Sequence, residues 1–193
     1  MNLKAILASS SPYRAAQMHA AGIPFETFSP DIDETPVSGE NGEKLARRLA
    51  REKCTTGARK FPQSVVIGSD QVGVIEGRIL SKPGTAEANI DILHQCQGSI
   101  GHFYTALSVF DPTSSQVHEH CNVTELRFRT LDPGQIERYV ALDRAWDCAG
   151  GFKIESAGIG LFEYVRSDDP TALQGLPMIA LFDLLHQVSF EAW

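Results

Sequence analysis

The stretch Val65-Val66-Ile67-Gly68-Ser69-Asp70-Gln71-Val72 constrains this chain more than any other. Its β-branched opening reads as a buried strand. The run then meets an acid before turning apolar again, and an Asp at the carboxyl end of such a strand sits where open α/β sheets place their ligands. The same Asp could instead cap the next turn, so its neighbours decide which role it has.

Those neighbours come from a chain of 193 residues, 42% of them hydrophobic, which suits one domain over 1–193 built as two lobes without a separable linker. No apolar run approaches membrane-spanning length. Met1-Asn2-Leu3-Lys4 leads straight into a strand-like run with no signal peptide, so a cytoplasmic protein without a membrane partner is expected. A net charge of −7 argues against a nucleic-acid partner, which needs a basic face. It leaves room for a small phosphorylated ligand where a few cations or a metal converge. Cys54, Cys96, Cys121 and Cys148 lack any C-x-x-C spacing and read as small buried hydrophobes. His118 and His120 follow a turn-rich segment and read as an exposed hairpin limb.

Along the chain, Lys4 to Ala8 reads as a strand, followed by Ser9-Ser10-Ser11 and Pro12. Ser11 is a natural helix N-cap and Pro12 fits the first helical position. A strand, a small polar loop and a helix start expose N–H groups and a dipole that favour an anion, with Arg14 alongside; plain capping explains the same serines. Pro24 to Ser29 reads as a second strand, then Asp31, Asp33 and Glu34 crowd a loop that either faces water or takes Mg²⁺. Gly42 to Lys60 is helical, with Lys53 close to the apolar stripe and able to point inward, and with Arg47, Arg48 and Arg51 read as solvating a face. Val74 to Leu80 predicts a hairpin about Glu76-Gly77. Thr85 caps a helix to about Gln97, and Phe103–Phe110 and Val117–Phe128 form two long strands. Asp132-Pro133-Gly134-Gln135 is a helix start, Gly158 to Val165 reads as a strand, and Met178 to about Val188 as a final helix.

Six of these blocks stand in a familiar order: Leu7-Ala8-Ser9-Ser10-Ser11-Pro12-Tyr13-Arg14, Asp31-Ile32-Asp33-Glu34-Thr35, Arg48-Leu49-Ala50-Arg51-Glu52-Lys53, Gly68-Ser69-Asp70-Gln71-Val72, Ser81-Lys82-Pro83 and Gly175-Leu176-Pro177. Together they resemble the Maf family of nucleoside triphosphate pyrophosphatases over almost the whole chain. The resemblance implies an α/β fold, a mixed twisted sheet with flanking helices in two lobes around a central cleft, commonly as a homodimer. It also implies hydrolysis of a nucleoside triphosphate to the monophosphate and pyrophosphate with a divalent cation, Mg²⁺ or Mn²⁺. Within the family the chain looks most like the branch acting on 7-methyl-GTP, with Tyr13, Gln71 and Glu155 where the dTTP/UTP branch carries Arg, Thr and Gln. It departs from the pattern at Tyr13, where Trp is usual, and at Ser81, where many members have Gly.

The chemistry asks for the same residues. Water must be driven at the α-phosphorus while about four negative charges are neutralised, so positioning and electrostatics dominate. Asp70 is the expected general base and a metal ligand with Glu34; Lys53, Lys82 and Arg14 clamp the phosphates; Ser9 completes the cradle. A cationic methylated guanine would stack on Tyr13, and its two adjacent donors would suit the Glu155 carboxylate. The rival readings are the same reaction on dTTP, UTP or another nucleotide, and a nucleotide-binding regulator of cell division that does not turn over. An RNA-binding module fits poorly with the acidic charge.

Overall fold

The computed structural model describes residues 3–192; Met1, Asn2 and Trp193, at the ends of the expected 1–193 domain, lie outside them. Among the described residues are seven strands, all in one mixed sheet, and five α-helices. The strands are β1 (Ala5–Ala8), β2 (Glu26–Phe28), β3 (Val65–Ile75), β4 (Arg78–Ile79), β5 (Ile100–Asp111), β6 (Gln116–Phe128) and β7 (Phe162–Arg166). Their order is β2-β1-β3-β5-β6-β7, with β4 paired to β3. β1 runs parallel to β2 and β3, whereas β4 on β3 and β7 on β6 are antiparallel. The helices are α1 (Pro12–Ala20), α2 (Gly42–Lys60), α3 (Ala86–Cys96), α4 (Pro133–Asp143) and α5 (Met178–Gln187). No helix among the described residues is long and apolar enough to cross a membrane.

The helix starts form where side-chain oxygens can take up orphan N–H groups. Ser11 accepts from the Arg14 amide, Thr85 from Ala88, and Asp132 with Gln135 closes a reciprocal capping box. The Glu76-Gly77 turn has φ of 49° and 76°, the left-handed pair that a two-residue hairpin needs.

Contacts along the chain fall into two compact units, one of residues 1–71, 105–122 and 169–193, the other of residues 72–104 and 123–168. In the first, the period of two along parallel strands divides the core. Ala5, Leu7, Val65 and Ile67 join a cluster with Met18, Leu107, Leu176, Leu181 and Leu185. Ile6, Ala8 and Val66 face the other way, onto Cys54 and Ala58 of α2. The second unit is centred on aromatic rings. Phe103, Phe128, Phe152 and Phe162 stack edge to face, with centroids 4.8 Å apart for Phe128–Phe162 and 5.2 Å for Phe103–Phe152.

Two expectations are corrected. β3 does not end at Asp70 but continues to Ile75, so Asp70 lies mid-strand. The polar trio Ser69-Asp70-Gln71 interrupts the hydrophobic pattern and leaves the backbone extended. It is β1 that stops, at Ala8, having paired with β3 only as far as Ile67, so Asp70 lies beyond the end of its neighbour. The second correction is at Gly158–Val165. Residues Ala157–Leu161 form a 3₁₀ turn, and strand begins only at Phe162. The Ser156 and Gly158 amides both fold back onto the Lys153 carbonyl, which draws the segment out of the sheet.

Gly68 sets how closely α2 lies on β3. A Cβ there would stand 2.3 Å from the Ala50 carbonyl oxygen and 2.5 Å from the Cys54 amide nitrogen, so the helix backbone itself touches the strand. Gly68→Ala is expected to destabilise the protein by about 1–3 kcal/mol, as over-packing against backbone does. Urea unfolding measures it, and an unchanged midpoint would mean that α2 moves aside without cost.

Candidate active site

The parity of β3 sorts the site. Val66, Gly68 and Asp70 share one face, and α2 lies against it: Val66 packs on Cys54, Gly68 admits the helix backbone, and Asp70 meets Lys53. Asp70 and Lys53 are both buried, at 8% and 7% exposure, and burial of two charges is tolerable only because they pair. Lys53 Nζ is 2.6 Å from Asp70 Oδ1 and 2.6 Å from Glu34 Oε1, so the two oxygens are no further apart than twice that distance. Glu34 reaches this point from the segment between β2 and α2 with half its side chain exposed.

Ile67, Ser69 and Gln71 face the other way. Ser69 Oγ donates to the Gly175 carbonyl at 2.9 Å, and Gln71 Nε2 donates to Ala172 and Leu173 carbonyls and to Thr105 Oγ1. The Gly175 carbonyl also takes Arg14 Nε at 3.0 Å. Gly175 has φ of 126°, a conformation open to glycine and costly for other residues. Arg14 Nη1 donates to Ser9 Oγ at 3.2 Å, and the same hydroxyl accepts the Ser11 amide. Two edges of the guanidinium are thereby fixed, which sets the plane of its fork. Burial lowers the Arg14 pKa, while the negative charges of Asp70 and then Glu34 push it back up. Arg14 Nε and Ser69 Oγ share the Gly175 carbonyl, which brings Arg14 beside the residue that precedes Asp70. Tyr13 is half-buried beside it in the first turn of α1.

The first unit thus brings together Asp70, Lys53, Glu34, Arg14 and Ser9, drawn from β3, α2, the β2–α2 segment, α1 and the β1–α1 loop. Gln71, expected to mark base choice, spends its amide N–H groups on the 172–173 backbone and Thr105.

Lys82 and Glu155 belong to the second unit, and both are exposed. The Lys82 loop is held on either side, by the Gly84 amide on the Trp146 carbonyl and by the Gly150 amide on the Ser81 carbonyl. Glu155 stands on the loop folded about the Lys153 carbonyl. That loop is tied to α4, since Lys153 Nζ donates to the Asp143 carbonyl, the Lys153 amide to Tyr139 Oη, and Ser156 Oγ to the Asp143 carboxylate.

Sequence reasoning missed the residues that fasten this framework. Gln17 is the clearest: its amide group donates to the Thr171 and Leu176 carbonyls and accepts the Leu176 amide. A polar residue beside Met18 on the apolar face of α1 is the signal that could have exposed it. The cysteines are all free, and burial pushes the Cys54 and Cys96 thiols up to about 12 and Cys121 to about 11.

A family model described as Maf-like protein matches residues 4–188. The chain is 44% identical over 186 residues to a protein of Saccharophagus degradans named 7-methyl-GTP pyrophosphatase, covering 96% of this chain and 94% of that one. Proteins of the same name from Pseudomonas aeruginosa and Xanthomonas axonopodis pv. citri are 44% and 47% identical, each alignment covering 96% of this chain and 97% of the relative. Among solved structures, a HAM1 protein from Coxiella burnetii superposes with a TM-score of 0.53 at 16% identity, over 96% of this chain and 99% of that one. At that identity what is shared is the fold.

Proposed function

The chain belongs to the Maf family, and from that membership we propose that it hydrolyses 7-methyl-GTP to 7-methyl-GMP and pyrophosphate by metal-assisted attack of water on the α-phosphorus. The observation that carries the reading is the buried Lys53 ammonium between the carboxylates of Asp70 and Glu34, with Arg14 held on the same Gly175 carbonyl as Ser69, the residue before Asp70.

Among the described residues no group of three or more His, Cys, Asp or Glu side chains stands ready to hold a metal ion. Glu34 and Asp70 nevertheless fit one: both offer hard oxygen donors at a single point, and Mg²⁺ at phosphate sites is commonly held by one or two carboxylates plus the substrate's own phosphates. When bound, the cation withdraws charge from the phosphate oxygens.

The chain's own groups do the rest. Asp70 takes the proton of the attacking water. Lys53 and Arg14 neutralise phosphate charge, the fork of Arg14 already oriented by Gly175 and Ser9. The N–H groups opening α1 add their dipole. Lys82 is assigned to the phosphates and Glu155 to the guanine N1–H and amino group, with Tyr13 offering a ring face to the cationic base. The family resemblance also supports a homodimer in the cytoplasm, the former measurable by sedimentation.

Pyrophosphate release from 7-methyl-GTP, GTP, dTTP and UTP, with Mg²⁺, Mn²⁺ or EDTA, tests the reading. 7-Methyl-GTP is expected to have the highest kcat/KM, and EDTA to stop the reaction. Faster dTTP or UTP turnover hands the site to pyrimidines, and calorimetric binding without turnover hands it to a regulator. Glu155→Gln is expected to lower kcat/KM for 7-methyl-GTP by about tenfold or more, the cost of one mismatched hydrogen-bonding pair in a recognition site. An unchanged substrate profile removes Glu155 from base selection.

A further inference from the structure

Residues 29–41, between β2 and α2, have no helix or strand of their own, yet they deliver the Glu34 carboxylate to within 2.6 Å of Lys53. Something must hold such a segment, because an unanchored carboxylate loses its orientation to chain entropy. The anchor is Arg48, on α2. Its Nε and Nη2 grip both oxygens of Glu40, at 2.9 and 3.0 Å, a two-pronged pair with the Glu40 side chain only 6% exposed. Arg48 Nη2 also donates to the Thr35 carbonyl at 3.0 Å, one residue beyond Glu34. Glu40 in turn accepts the Val37 amide at 3.1 Å, and Asp33 accepts the Thr35 amide at 2.9 Å. The Arg48 hydrogen bonds hold the Glu40 carboxyl below the usual glutamate range, so it is ionised at neutral pH.

We propose that the Arg48–Glu40 clasp is a positioning device for Glu34: Arg48 fixes the Thr35 carbonyl and the Glu40 carboxylate against α2, and so sets where the Glu34 carboxylate stands for a divalent cation. The proposal rests on the reading of Glu34 as a metal ligand. It gives a role to a residue whose charge, in sequence, looked like mere solvation of a helix face. The same helix carries Lys53, so a single rigid element positions both the ammonium and, through the clasp, its carboxylate partner. Lysine at position 48 would keep the charge but could not grip two oxygens and a carbonyl at once.

The test uses Arg48→Lys, Arg48→Met and the milder Glu40→Gln, with Glu34→Gln alongside. In the metal-free protein, hydrogen exchange at the Thr35 and Val37 amides is expected to speed up in the position-48 and position-40 variants, while α2 and β3 amides keep their protection. The metal concentration for half-maximal 7-methyl-GTP turnover is expected to rise by about tenfold, the usual effect of removing a residue that orients a ligand, with kcat at saturating Mn²⁺ near that of the parent. Unchanged exchange at Thr35 and Val37, or a loosened segment with an unchanged metal requirement, overturns the proposal. If Glu34→Gln raises the metal requirement and Arg48→Lys does not, only the clasp falls. If Glu34→Gln leaves it unchanged, the metal reading falls and takes the clasp's purpose with it. Loss of α2 protection in the Arg48 variants would show a merely structural role and equally overturn it.

Discussion

Asp70→Asn is expected to lower turnover by about 10²–10⁴-fold, the range that a positioned general base contributes. The substitution keeps the shape and the acceptor that Lys53 contacts at Oδ1, and removes the ability to take a proton. No other carboxylate shares this face of β3, where Val66 and Gly68 precede Asp70. The fold is expected to survive, because the substituted amide would sit in the same buried space and the Lys53 ammonium keeps Glu34. Steady-state pyrophosphate release with a parallel thermal melt gives both readings. Turnover near that of the parent, in a protein that melts normally, removes Asp70 as the base.

Lys53→Met should weaken the protein as well as the chemistry. It strips the counter-charge from a carboxylate that is itself only 8% exposed. Breaking a buried pair from one side costs about 3–5 kcal/mol, because the remaining charge is left in a poor solvent. For a chain of this size that corresponds to a fall in Tm on the order of 10 °C. The diagnostic result lies in combination. Adding Asp70→Asn to Lys53→Met removes the stranded charge, so the double variant is expected to be more stable than Lys53→Met alone. If the second substitution lowers stability further by its own single-variant amount, the two side chains are not coupled and the buried pair is not what holds them in place.

How far the sequence revealed this arrangement depended on distance along the chain. Local signals carried well: Ser11 with Pro12, Thr85, and Asp132 with Gln135 cap helices through oxygens that lie within a few residues of the amides they satisfy. Lys53 was readable as inward-facing from its place beside the apolar stripe of α2. The end of β3 was misjudged because hydrophobicity reports burial by apolar neighbours, and Asp70 is buried by a charged one. Arg48 reads in sequence as solvating a helix face, and only its partners from the preceding segment, Glu40 and the Thr35 carbonyl, show what it holds. Gly158–Val165 alternates like a strand, but its backbone amides had a closer carbonyl to reach, at Lys153.

The shared carbonyl of Gly175 has a bearing on biosynthesis. Arg14 and Ser69 leave the ribosome long before Gly175, whose oxygen orients both and lies 161 residues after the first and 106 after the second. Strands β1 and β3 and helix α2 can assemble while translation continues, since domains tend to fold from the amino end as they emerge. The Arg14 guanidinium is left without this brace until Gly175 has been made. A nascent chain arrested before Asp169 would carry Arg14 and Ser69 without the carbonyl that orients both.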